Sequence, residues 1–188
     1  MRAEEFFAFT ATRPDDEKWE LIEGEPVLNA SASFLHQIIA SNLIVSLGRF
    51  ARETDAIWAV APGIGVRISP LSVPVPDVLV RPQTATGAEC DDMIIAFEIR
   101  SPSTADYDLR WKRKAYASLP SLLQYVVIAQ DALEVVSFDR ANGFSERRFE
   151  TAESELDLPV IGARMNLREI YRGTVCSSAR LALRASSQ

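Results

Sequence analysis

Three charged side chains stand where the surrounding sequence calls for hydrocarbon: Asp77, Glu98 and Lys112. Asp77 lies in Val73-Pro74-Val75-Pro76-Asp77-Val78-Leu79-Val80. The two prolines keep this backbone extended and cannot donate to a ladder, which places the segment at an edge or at the mouth of a strand. Glu98 interrupts Met93-Ile94-Ile95-Ala96-Phe97-Glu98-Ile99. A lone carboxylate buried there is costly unless it is paired or metal-bound. Strand alternation puts it on one face with Ala96 and Arg100, opposite Phe97 and Ile99. At ~100° per residue, Lys112 shares one helical side with Leu109, Ala115, Tyr116 and Leu119, while Arg110, Arg113 and Lys114 fall on the other, the expected solvent side.

An acid in a strand and an amine on the inner stripe of the next helix can satisfy each other. Two carboxylates in close reach repel, and a divalent cation relieves the repulsion; hard oxygen ligands favour Mg²⁺ or Mn²⁺. Plainer roles are open to the same residues. Glu98 can pair with Arg100 at the sheet mouth, Asp77 can be a turn acid after proline, and Lys112 can run its stem past apolar neighbours to water.

The elements that must position these residues follow from periodicity. A short helix is expected over 3–9, a polar loop over 13–18 and a hairpin around Glu23-Gly24-Glu25. Leu35, Ile39, Leu43, Leu47 and Phe50 recur at helical spacing and predict a helix over 33–52. Strands are expected over 57–60, 65–69, 73–80 and 93–99. A second helix is expected over 105–118, opened by the capping box Ser103-x-x-Asp106 and stopped before Pro120. Strands over 123–129, 133–139 and 144–150 follow, with Asn142-Gly143 as a turn, then a short helix over 166–172. This order predicts an α/β (α+β) fold, a single domain with a central mixed β-sheet flanked by helices. Residues 1–173 are expected to form it, with 174–188 a loosely held polar tail.

Composition narrows the class. The 188 residues are 47% apolar and 24% charged, the balance of an ordinary globular domain and not of a disordered chain. Apolar runs are strand-length, well short of the ~20 residues a bilayer demands, so no membrane partner is expected. The N-terminus carries acids where a signal peptide has its apolar stretch, and Cys90 and Cys176 sit in no metal or redox spacing, which suits the cytoplasm. The net charge of −6 argues against a general nucleic-acid coat protein while leaving room for a local basic patch. Arg110-Trp111-Lys112-Arg113-Lys114 is the strongest such patch. Its outward members Arg110, Arg113 and Lys114 are candidates for nucleic-acid backbone contact, or a solvated helix face.

An ordered set of motifs goes further. It comprises Ala3-Glu4-Glu5-Phe6, Glu20-Leu21-Ile22-Glu23-Gly24-Glu25, His36-Gln37, Val75-Pro76-Asp77-Val78 and Phe97-Glu98-Ile99-Arg100-Ser101-Pro102-Ser103-Thr104. Asp108, Lys112 and Tyr116 at spacing four follow, then Gln124-Tyr125-Val126-Val127-Ile128. In this order the chain resembles the Uma2-like endonuclease family (DUF820), a branch of the PD-(D/E)XK nuclease superfamily. The resemblance implies a restriction-endonuclease-like fold and a Mg²⁺- or Mn²⁺-dependent endonuclease acting on nucleic acid, with DNA the expected partner. It assigns Asp77 and Glu98 as catalytic and metal-binding acids, with the Ile99 backbone carbonyl as a further ligand. The superfamily's lysine normally stands two residues after the second acid. Here Arg100 stands there, and arginine does not give up its proton. The resemblance moves the lysine role to Lys112, with His36, Glu20 and Arg100 supporting. His36 also reads as a core residue and Glu20 as a solvated hairpin charge. Duplex cleavage calls for two active sites, which a homodimer would supply. Two other classes stay open: a catalytically inactive nuclease fold kept for binding or assembly, favoured by Arg100, and a two-carboxylate glycosidase, which gives Lys112 no role.

Overall fold

The computed structural model describes residues 1–14, 16–84, 90–100 and 106–176, and of 106–109 the backbone only. The expected capping box at Ser103 and most of the expected tail therefore lie outside the described residues. Helix α1 (Ala3–Thr10) precedes a hairpin of β1 (Trp19–Ile22) and β2 (Glu25–Leu28). That hairpin turns on Glu23 and Gly24, with φ of 50° and 90°, the pair of left-handed residues a type I′ turn needs.

Helix α2 (Phe34–Glu53) starts at Ser33, whose Oγ accepts the His36 N–H at 3.2 Å. It is the one described helix long and apolar enough to cross a bilayer, with a mean hydropathy of 1.2 over its best window. Its Ile39, Leu43 and Leu47 stripe instead packs into the protein core with Phe97, Ile99, Val126 and Ile128.

Six strands form the central sheet: β3 (Trp58–Pro62), β4 (Val78–Pro82), β5 (Ile95–Arg100), β6 (Gln124–Ala129), β7 (Val135–Asp139) and β8 (Ser145–Phe149), in that spatial order. Neighbours are antiparallel except β5 and β6, which are parallel and joined through α3 (Asp106–Ala117). A parallel pair needs such a crossover. Both faces of the central strands are covered, which is why β5 and β6 read as nearly continuous apolar runs. Ile95, Phe97 and Ile99 face α2, whereas Ala96 packs with Tyr116, Leu119, Leu122 and Tyr125 on the α3 side. Glu98 follows the second parity and is the one acid in that strand. A hairpin of β9 (Glu155–Leu158) and β10 (Ala163–Asn166) and helix α4 (Leu167–Ile170) cover the α2 face. Both cysteines are free.

Several boundaries differ from the expectations. The strand expected over 73–80 begins only at Val78, because Pro74 and Pro76 cannot donate to a ladder. Residues 65–69 make isolated bridges, Val66 to Cys90 and Ser69 to Ser72, and no strand. The β9–β10 hairpin had no counterpart in the sequence reading, since four-residue strands carry too little alternation to register.

Candidate active site

The backbone of Asp77 extends the β4 ladder by one residue. Its N–H donates to the Phe97 carbonyl at 3.1 Å, and its carbonyl accepts the Gly63 N–H at 3.0 Å. Gly63 must be glycine for this approach, because a Cβ there would lie 1.7 Å from the Pro76 oxygen. The prolines thus aim Asp77 at the end of β5. Its Oδ2 accepts the Ile99 N–H at 2.8 Å and lies 3.0 Å from His36 Nε2; its Oδ1 accepts from Lys18 Nζ at 2.6 Å. Burial alone would raise the Asp77 carboxyl. The His36 hydrogen bond and the Lys18 charge outweigh it and hold the group well below the usual carboxylate range. The N–H and C=O of one strand residue point to the same edge, so the Ile99 carbonyl is also directed toward Asp77.

Glu98 projects from β5 beneath α3 and is 6% exposed. Its two oxygens lie 3.1 and 3.2 Å from Lys112 Nζ, and Oε1 also accepts from Tyr116 Oη at 2.9 Å. Burial pushes this carboxyl up to about 7, against the Lys112 charge and with the help of the Asp77 and Glu20 charges. Lys112 and Tyr116 are four apart on α3, hence on one face. Burial lowers the Lys112 ammonium, but Glu98 and Glu20 more than reverse it, so the amine is held protonated. Burial first, then Glu98, likewise keeps the Tyr116 hydroxyl protonated.

Glu20 completes the group. Its Oε1 lies 2.9 Å from Lys112 Nζ and accepts the Val75 N–H at 2.7 Å. At 2% exposure it is buried, contrary to the solvated hairpin reading, because the hairpin folds down over Val73 and Val75. Lys112 therefore bridges an acid from β1 and an acid from β5, an arrangement without purpose in a two-carboxylate glycosidase.

The structure thus sets two ion clusters beside each other on β5, Asp77 with His36, Lys18 and the Ile99 N–H, and Glu98 with Lys112 and Glu20, near enough that the Asp77 charge acts on Glu98. Arg100 lies apart: its guanidinium pairs with Glu134 at the head of β7, not with Glu98. Arg113 was expected on the solvent side. Instead its guanidinium covers the Phe138 ring at 4.1 Å and donates to the Phe144 carbonyl at 2.5 Å. Arg110 and Lys114 are exposed, as expected. Two further residues of the site, Tyr116 and Lys18, were not expected in it from the sequence. Tyr116 was legible through its spacing from Lys112. Lys18 closes a polar loop with no periodicity, and its one signal was standing two residues before Glu20.

Residues 3–168 match the family described as "Uma2: Putative restriction endonuclease". The chain belongs to the Uma2 family. A similar solved structure is described as a putative nuclease belonging to DUF820, from Anabaena variabilis ATCC 29413. It is 13% identical, covers 87% of this chain and 94% of its own, and superposes with a TM-score of 0.69, a likeness of fold. No curated protein matches the chain. In this Uma2 protein the donor set fits a hard divalent cation by chemistry: two carboxylates and a strand carbonyl, one acid destabilised by burial. Among the described residues no group of three or more His, Cys, Asp or Glu is arranged to hold a metal. The counter-charge beside the acids comes from Lys18 and Lys112.

Proposed function

We propose that the protein is an endonuclease that hydrolyses phosphodiester bonds of nucleic acid, DNA first among them, with Mg²⁺ or Mn²⁺. One observation carries this reading: two buried acids from adjacent strands, Asp77 and Glu98, lie on either side of Ile99, with the Lys112 ammonium held inward against the second. A divalent cation held by Asp77, Glu98 and the Ile99 carbonyl would supply charge for a phosphate oxygen and acidify a water. Lys112, kept protonated by its two carboxylates, serves as a donor and point charge toward phosphate, not as a resting base. Glu20 fixes where that ammonium sits. His36 and Lys18 keep Asp77 ionised and oriented. Tyr116 holds Glu98 in its rotamer. Family membership supports a nuclease role; the metal, the DNA preference and the residue roles are this proposal's own.

A second reading has its own support. Every one of the three carboxylates already has a cationic partner or a backbone N–H, and Arg100 replaces the usual lysine. A closed network of this kind also suits a nuclease fold retained as a binding or assembly module. Cleavage of supercoiled plasmid and of single-stranded oligonucleotide, with each metal, separates the two. Wild-type cleavage that falls about a hundredfold or more in Glu98→Gln and Asp77→Asn supports the enzyme. No cleavage of either substrate, or cleavage unchanged in both variants, overturns it.

A further inference from the structure

Next to the carboxylate network, a cavity of about 260 Å³ opens between α3 and the sheet. Its floor includes Tyr125 and Val127 of β6, and Val127 is the register partner of Glu98, so the two sites adjoin. Four arginines line it: Arg100 from β5, Arg110 and Arg113 from α3, and Arg148 from β8. The guanidinium groups of Arg100, Arg113 and Arg148 are tethered. Arg100 and Arg148 share Glu134, Arg148 also pairs with Glu146 at 2.5 Å, and Arg113 is fixed over Phe138. Each guanidinium has five donors, so one carboxylate does not exhaust it, and tethering lowers the entropy cost of binding an anion. Among the described residues Glu134 and Glu146 are the acids that line it, so arginines outnumber carboxylates there.

The second observation is the Tyr125 hydroxyl. Tyr125 is 1% exposed, and its oxygen has no hydrogen-bond partner among the described residues. Burial, with the Glu98 charge behind it, keeps the hydroxyl protonated and thus a donor. A buried hydroxyl left unmated is costly, and an oxyanion entering this pocket would mate it.

We infer that this pocket binds a phosphomonoester dianion, the terminal phosphate of a nucleic-acid strand delivered to the neighbouring acids. The strand rests on the nuclease reading; the phosphate does not. A terminal phosphate carries about −1.5 to −2 near neutral pH, so an excess of arginine holds it more strongly than an internal phosphodiester, which carries one. The sheet forms the floor, and a strand end can reach it from the open side.

The test is fluorescence anisotropy with wild-type protein in EDTA, so that no hydrolysis enters and an inactive protein still reports. The probes are one oligonucleotide sequence bearing a 5′-phosphate, a 3′-phosphate or hydroxyls at both ends. A phosphate at one end tightens binding about tenfold or more, and Arg148→Gln and Tyr125→Phe each erase the preference. Tyr125→Phe removes a single buried oxygen, so it reports even if Arg148→Gln fails to fold. Equal affinity for the three probes, with inorganic phosphate leaving the melting temperature unchanged, overturns the site. Equal affinity together with Tyr125-dependent stabilisation by inorganic phosphate keeps the phosphate and overturns the strand.

Discussion

Lys112→Met is the perturbation that most sharply questions the ion network. Lys112 Nζ lies 2.9 Å from Glu20 and 3.1 Å from Glu98, two acids that are 2% and 6% exposed. Removing one partner of a buried pair costs about 3–5 kcal/mol, because a charge is left uncompensated. Relief comes from Glu98, already pushed up to about 7 with the lysine present and higher without it, so it takes a proton in the variant. Glu20 keeps the Val75 N–H. The loss therefore belongs at the low end, about 3 kcal/mol, or a fall of roughly 6–12 °C in Tm for a chain of this size. The pH dependence has a defined sign. A carboxyl whose folded pKa is raised binds its proton preferentially in the folded state, so stability falls as pH rises from about 4.5 through that raised value. Without Lys112 this window widens upward, and the variant's deficit is larger near pH 8 than near pH 5. Adding Glu98→Gln to Lys112→Met then recovers part of the loss, since a neutral amide needs no counter-charge. Equilibrium urea unfolding followed by circular dichroism at the two pH values measures all of this. A Lys112→Met protein within about 0.5 kcal/mol of wild type at both would refute the buried network.

Other perturbations follow from the same geometry. Gly63→Ala drives a Cβ into the Pro76 carbonyl 1.7 Å away, so it lowers the Tm markedly and displaces Asp77 with it; an unchanged melt would contradict the close approach. Asp77, held below its ordinary 3.8, contributes stability above that pH which is lost as pH falls below it. Asp77→Asn flattens that acid limb in a pH series of melts, and a limb unaltered in the variant would assign it elsewhere. Lys18→Met leaves Asp77 with the Ile99 N–H and His36, and it lowers cleavage more than it lowers Tm. Equal falls in both would make Lys18 a structural residue.

The legibility of this site divides along physical lines. Asp77, Glu98 and Lys112 were visible because each charge breaks an apolar pattern, and a pattern break is local in sequence. The α2 stripe was visible for the same reason, over five turns. The burial of Glu20 and the part played by Lys18 were not, because both depend on the N-terminal segment docking against residues 73–77, a contact about 50 residues distant in sequence. Arg100 and Arg113 were misplaced on similar grounds. Their partners, Glu134 and the Phe138 ring, arrive only when β7 joins the sheet. Helical periodicity assigns a side to Arg113 but cannot say that an aromatic waits there.

Manganese binding to the metal-free protein reads the shared pocket most directly. Electron paramagnetic resonance of Mn²⁺, titrated into wild type, Asp77→Asn, Glu98→Gln and Arg148→Gln, needs neither substrate nor turnover. Wild type and Arg148→Gln bind alike, and the two acid variants each bind at least about tenfold more weakly. Free Mn²⁺ signal undiminished by wild type at millimolar metal, or depletion of that signal equal in all four proteins, would contradict a cation site built on Asp77 and Glu98.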